Sequence, residues 1–313
     1  GSKDFQFTIG NVPIKHTRTS PNLNATALKA LEELDKYGFT VLPSTTIPKR
    51  WIKSALAAID KLGARAKFGG FRLEYNFALD YHPFNSKDIL ENHHVLPVLR
   101  RALGDDTDDT SSKKLETGVD DSKMAATASS IKLLRIGAIR SLPECDPQPM
   151  HRDGQHLFQQ EISHYLPPHA LHLWIPLTIM VAVPRKRFSC PHLSSHLLAY
   201  TKQTGATIFA AGTHRIIGGD WNELMQRKKK KKRGIGLMSS MTYQQPEVEL
   251  GSAIIFDDRI FHQGASNDSQ SPRTCVFFSF ARGWFTDGVA SEAHPDPRWT
   301  NDSRVQTCWQ EIE

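Results

Sequence analysis

Cysteine is scarce in this 313-residue chain: Cys145, Cys190, Cys275 and Cys308 are widely spaced and form no Cys-x-x-Cys pair. That argues against a zinc ribbon or a dense disulfide scaffold, and a reducing, intracellular compartment is the expectation. Long apolar runs are missing too. The most apolar stretch, residues 173–183, is interrupted by Pro176 and Thr178, and it falls well short of the roughly 20 residues that cross a bilayer. A soluble protein with no membrane partner is expected. No internal repeat is visible, and the final Gln-Glu-Ile-Glu is neither a peroxisomal nor an endoplasmic-reticulum address. Gly1-Ser2 reads as a cloning scar, so a native N-terminal targeting segment would not be visible here.

Nor is there a global excess of one charge. The 39 Lys+Arg and 33 Asp+Glu leave a formal +6, but residues 227–233 are an unbroken basic run, and without those seven the chain has 32 basic side chains against 33 acidic ones. The run lacks interleaved aromatics and a base-reading motif, which argues against nucleic acid as a partner. It reads as a solvated loop. Placed over an active-site mouth, such a loop could steer an anionic small molecule. Oligomeric state leaves no trace in the sequence.

What the chain does have is 39% hydrophobic and 23% charged residues, with 16 Phe and 6 Trp, enough for a substantial globular core. Residues 24–36 read as a helix capped by Asn24, with Leu28, Leu31 and Leu34 on one face. Residues 39–42 read as a strand. A second helix starts near Pro48, with Trp51, Ile52, Ala55, Leu56, Ile59 and Leu62 at one-face spacing. From Ile131 onward the pattern changes to short apolar segments over 131–136, 171–180, 206–211, 252–261 and 274–285, which are strand signals. In the second of these, Leu171, Leu173, Ile175, Leu177 and Ile179 alternate with His172, Trp174, Pro176, Thr178 and Met180, so the strand serves two different faces. The expected fold is an all-β core, a cupin-like jelly roll or double-stranded β-helix, with flanking N-terminal α-helices. One domain over 24–300 follows an extension over 1–23 and precedes a tail over 301–313. Residues 104–130 and 216–240 read as mobile insertions.

His151-Arg152-Asp153 follows a proline-rich loop, and a spacing of two on extended chain puts imidazole and carboxylate on one side. His262, after the apolar segment 254–261, is the candidate third ligand. Two histidines and a carboxylate on one face leave positions open for a co-substrate and oxygen, the pattern of non-haem iron(II) oxygenases. Eleven residues on stands Arg273, beyond a polar connection rich in Gly, Asn and Pro. The strand that follows is expected to run antiparallel to the one bearing His262. The Arg273 guanidinium would then lie near the metal, as a bidentate clamp for a carboxylate.

These segments together resemble the phytanoyl-CoA dioxygenase-like family of Fe(II)- and 2-oxoglutarate-dependent oxygenases. The resemblance runs over about residues 25–285. His151-Arg152-Asp153 matches the family's His-x-Asp, His262 with Gly264, Asn267 and Ser269 its distal-histidine turn, and Arg273 its oxoacid-binding arginine. Ala206 to Arg215 is similar to the strand ending in Pro-Gly-Ser-His, with Ala211 and Thr213 at the first and third of those positions. Gly251 to Phe256 and Tyr37 to Leu42 resemble the family's last metal strand and its opening helix-to-strand step. Where the family often has serine two residues past the distal histidine, this chain has Gly264. The resemblance implies His151, Asp153 and His262 as iron ligands, Arg273 on the 2-oxoglutarate carboxylate, and O2 at the remaining position. It also implies oxidation of an unactivated C–H bond of a small organic substrate while 2-oxoglutarate becomes succinate and CO2. Hydroxylation is the default outcome. Desaturation or oxidative ring closure in specialised-metabolite biosynthesis is the alternative within that chemistry, and a non-catalytic jelly-roll binding module is the alternative outside it. Trp174 and His172 are the candidates for a pocket wall, with Trp174 taken as the co-substrate-side residue.

Other readings of the same residues fare less well. His-Arg-Asp also spells the kinase catalytic tripeptide, but Phe158 stands where the kinase asparagine belongs and no Gly-rich loop accompanies it. Cys190, His192 and His196 lack the second pair that a zinc site needs. His156, His164 and His169 belong to the stretch after the metal pair, where a loop shaping the pocket mouth is one reading, and they are weak catalytic candidates.

Overall fold

Helix α1 (Ala25–Tyr37) begins directly after Asn24, whose side-chain oxygen accepts a 2.9 Å hydrogen bond from the Ala27 amide and so satisfies one of the donors a helix start leaves bare. The computed structural model of the chain describes residues 23–62, 65–67, 71–104, 131–178, 198–230 and 242–285. The N-terminal extension, the C-terminal tail, nearly all of the 104–130 insertion and the trio Cys190, His192 and His196 lie outside these residues.

After α1 come β1 (Phe39–Leu42), α2 (Lys49–Asp60), β2 (Arg65–Lys67), β3 (Arg72–Phe77), α3 (Lys87–Leu90), α4 (Leu96–Leu103), β4 (Ile131–Ser141) and β5 (Ala170–Pro176). The chain continues through β6 (Leu198–Tyr200), β7 (Thr207–Ala211), α5 (Trp221–Lys230), β8 (Thr242–Gln244), β9 (Val248–Glu249), β10 (Ala253–Asp257), β11 (His262–Gly264) and β12 (Arg273–Arg282). Seven strands form one antiparallel sheet in the order β1-β10-β5-β12-β4-β3-β2, faced by a smaller sheet β11-β7-β8 and the pair β6-β9. This is the jelly-roll architecture the strand pattern implies.

Alternation along the strands decides what each face of the large sheet buries. Leu171, Leu173 and Ile175 of β5 join Ile255, Val276 and Phe278 in a core with Leu34 of α1 and with Trp51, Ile52 and Ala55 of α2. Trp174, on the opposite face, joins Phe256, Phe277 and Phe209 between the two sheets. Burial of each such side chain stabilises by about 1.5–3 kcal/mol, so a one-residue register slip in β5 would exchange the contents of both layers.

Two expectations need correction. The apolar segment 252–261 is not one strand. β10 ends at Asp257, where the carboxylate accepts hydrogen bonds from the Arg259 amide (2.9 Å) and guanidinium (2.8 and 2.6 Å). That local ion pair closes a turn and sends the chain into β11 of the other sheet. β12 therefore pairs with β5 and β4, not with the strand carrying His262. Second, residues 221–230 form a helix, not a loop. Asp220 caps it through a 2.8 Å bond from the Glu223 amide, and Leu224, with Trp221 and Met225 beside it, packs on Phe261. The helix includes the first four residues of the basic run; the remainder of that run lies outside the described residues. Among the described residues, no helix is long and apolar enough to cross a membrane.

Candidate metal centre

The backbone brings the two histidines together. His151 and His262 exchange both amide hydrogen bonds, 2.9 and 2.7 Å, in an isolated antiparallel bridge, and such directly paired residues project to the same side. Their rings stand 4.6 Å apart, centre to centre. Asp153 is held by the next contact, because its amide and that of Gly154 both donate to the Asp258 carbonyl at 3.1 and 2.9 Å. Gly154 is required there. A Cβ at this position would lie 2.0 Å from Asp258 Oδ2.

The side chains then converge. His151 Nε2 lies 3.6 Å from Asp153 Oδ1, and His262 Nε2 lies 3.7 Å from Asp153 Oδ2. One ligand atom from each of the three residues falls within 4.8 Å of the others, a group that could hold a metal ion. Nδ1 of His151 faces the Pro149 carbonyl at 2.8 Å, and Nδ1 of His262 faces the Ile260 carbonyl at 3.1 Å. A carbonyl only accepts, so each Nδ1 carries the proton and each Nε2 is left with its lone pair toward the centre. Burial pushes the His262 imidazole down to about 4 despite the nearby Asp153 carboxylate, which keeps it neutral at pH 7. Burial alone would raise the Asp153 carboxyl, but His262, His172, His151 and Arg135 outweigh it and hold the group below its ordinary value. A neutral His262 imidazole and an ionised Asp153 carboxylate are protonation states suited to a divalent cation.

A cavity of about 240 Å³ covers the triad, and its walls include Arg72, Glu74, Arg135, Gln148, His172 and Trp174. Trp174 is edge-on to His262 with ring centres 6.1 Å apart; it is at once core and cavity wall. His172 stands on the same face of β5. Its Nδ1 is hydrogen-bonded to Ser279 Oγ at 2.9 Å, and its Nε2 faces Asp153 Oδ2 at 3.4 Å. Arg273 is buried at the start of β12, where Nη2 donates to Ser141 Oγ at 2.6 Å and the guanidinium lies 5.3 Å from the Tyr200 ring centre. It does not line the cavity. Arg72, from β3, does. His156 and His169 are buried away from the cavity, with His169 Nε2 3.3 Å from Asp258 Oδ2, so they belong to the ionic packing behind the turn and not to a pocket mouth.

Arg72, Glu74, Arg135 and Gln148 were not found from sequence. They lie on β3 and β4 or in the loop before His151, with no local motif around them. The one available signal was charge at alternate positions, Arg72 and Glu74, in a segment otherwise patterned as a strand.

Solved structures share this architecture. The non-haem alpha-ketoglutarate-dependent carbocyclase SnoK of nogalamycin biosynthesis matches with a TM-score of 0.55 at 13% identity, over 88% of this chain and 92% of its own. HygX from Streptomyces hygroscopicus, solved with nickel and 2-oxoglutarate, gives 0.50 at 14% identity, over 85% and 89%. At such identities the likeness is one of fold. No curated protein matches the chain. The family model described as phytanoyl-CoA dioxygenase matches residues 34–275, a span that includes the three converging side chains, Arg273 and every strand up to the start of β12, and the chain belongs to the phytanoyl-CoA dioxygenase family of Fe(II)- and 2-oxoglutarate-dependent oxygenases.

Proposed function

We propose that this protein hydroxylates an unactivated C–H bond of a small polar organic molecule, with His151, Asp153 and His262 as the iron ligands. The observation that carries the reading is the fixed pair of Nε2 lone pairs beside an ionised carboxylate at the wall of a cavity. The donor set fits Fe(II): two imidazoles and one carboxylate on one face. When bound with 2-oxoglutarate and O2, the iron supplies the oxidising power that replaces a substrate C–H by C–OH, with succinate and CO2 as the other products.

The chain's own residues do the rest. Peptide carbonyls hold both histidine tautomers, so the ligands need no rearrangement on loading. Trp174 and Phe277 give the cavity an apolar wall beside the reacting centre. Glu74 and Arg135, on the same lining, favour a substrate with polar or charged groups. Arg273, hydrogen-bonded to Ser141 in the strand beside Arg72, is the carboxylate-binding cation of this reading. Two of the solved structures of similar fold belong to enzymes that their descriptions connect with small molecules, nogalamycin biosynthesis for SnoK and hygromycin B for HygX, in keeping with a specialised metabolite as substrate here.

Succinate release tests the reading. It should require both Fe(II) and 2-oxoglutarate and should vanish in His151→Ala, and in the presence of substrate one atom of 18O2 should appear in the organic product. Turnover that persists in a strong chelator would sink the proposal.

A further inference from the structure

Strand register aligns three polar side chains in one row. Ser141 of β4 is the register partner of Arg273 in β12 on one side and of Arg72 in β3 on the other. Residues in register on adjacent strands project from the same face, and this face is the one toward the metal cavity. Both guanidiniums are nearly inaccessible, Arg72 at 1% and Arg273 at 2% exposure. Arg273 spends Nη2 on Ser141 Oγ, while its Nε and Nη1 are buried with no hydrogen-bond partner. Among the described residues no carboxylate forms an ion pair with it. Arg72 is anchored by a 2.9 Å bond from Nη2 to the Asp146 carbonyl and lines the same cavity as His151, Asp153 and His262. The two cations act on each other: burial lowers the Arg72 pKa first, and the nearby Arg273 charge lowers it further.

Across the row stands Gly264. A Cβ there would lie 2.6 Å from Arg72 Nη1 and 2.7 Å from Gln148 Oε1. The Arg72 guanidinium thus fills the space that a serine at position 264 would use. Adjacent buried cations are costly unless an anion is shared between them. Planar forks are suited to a carboxylate.

We propose that Arg72 is a second guanidinium ligand for the distal carboxylate of 2-oxoglutarate, sharing it with Arg273 and taking the place of the hydroxyl that Gly264 lacks. The assignment rests on the oxoacid reading of the preceding subsection. It makes the site strongly selective for a dicarboxylic 2-oxo acid.

The test measures equilibrium binding to protein loaded with Mn(II), without turnover, for 2-oxoglutarate and for 2-oxopentanoate, which lacks the distal carboxylate. Arg72→Gln should weaken 2-oxoglutarate by about tenfold or more, the scale of a charge-assisted pair, and change 2-oxopentanoate by less than about twofold. Arg72→Ala/Gly264→Ser, in which only the Gln148 side-chain end must still shift to admit the new Cβ, should bind 2-oxoglutarate tighter than Arg72→Ala alone. Should Arg72→Gln not fold, Arg72→Lys, which keeps the charge and loses the fork, reads the same ratio. Equal loss of both acids, or 2-oxoglutarate affinity within twofold of wild type, overturns the assignment. Wild-type protein that binds Mn(II) but neither acid overturns the oxoacid reading itself, and that failure is visible before any variant is made.

Discussion

Gly154→Ala puts one methyl group into the tightest contact behind the proposed iron site. The added Cβ would fall 2.0 Å from Asp258 Oδ2 and 2.6 Å from Asp258 Cγ. Asp258 is 4% exposed, its side chain is short, and its carboxylate is 3.3 Å from His169 Nε2. It has little freedom to swing away, so the backbone must separate. Two amide hydrogen bonds to the Asp258 carbonyl, from Asp153 and Gly154, cross this contact. Overpacking of this kind costs about 1–3 kcal/mol, and weakening the two bonds adds roughly 1 kcal/mol each. At roughly 2–4 °C per kcal/mol for domains of 150–250 residues, the overpacking alone lowers Tm by roughly 2–12 °C. The larger effect is on the metal. Asp153 would leave its place beside His151 and His262, and misplaced ligands of this sort lose about 10–100-fold in metal affinity. Mn(II) titration against a competing chelator, alongside thermal unfolding of the metal-free protein, separates the two effects. Unchanged metal affinity would show that the Asp258 contact does not position the ligand, whatever happened to Tm.

Other perturbations probe the same framework. His172→Phe removes the group that faces Asp153 Oδ2 at 3.4 Å, and Mn(II) affinity should fall by about 10–100-fold with the fold intact; an unaltered titration would remove His172 from any positioning role. Arg259→Met strands the buried Asp257 carboxylate and should cost about 3–5 kcal/mol in urea unfolding, whereas a loss below about 1 kcal/mol would mean the 257–260 turn is held by something else. Burial, with Arg259 and Arg152 adding to it, pushes the His156 imidazole down to about 4. The unfolded chain, with a histidine value of about 6.5, binds the extra proton between those limits, so this contribution is complete above about pH 6.5 and is lost as pH falls toward 4, at about 1.4 kcal/mol per pH unit. His156→Gln should flatten the pH dependence of metal-free stability in that window, and an identical slope would refute the assignment.

Much of the architecture was legible because its signals are local. Asn24 ahead of a three-spaced leucine face, and the two-faced alternation of β5, depend only on a residue and its near neighbours. The pairing of His151 with Asp153 on extended chain is of the same kind. The 252–261 segment was misread because apolar periodicity does not register that Asp257 and Arg259 satisfy each other within the turn. The helix over 221–230 was hidden because its apolar face spans only the first turns before the basic run begins.

The sequence by itself therefore determined the two-faced strands, the helical preface and the types of side chain that could hold a cation, since each follows from short-range periodicity and ligand chemistry. Tertiary structure alone decided which groups meet. His262 reaches His151 through a backbone bridge between segments more than a hundred residues apart. Arg72 and Arg273 meet across Ser141 because β4 lies between β3 and β12, an order set by how the sheet buries its two faces and not by any motif around either arginine.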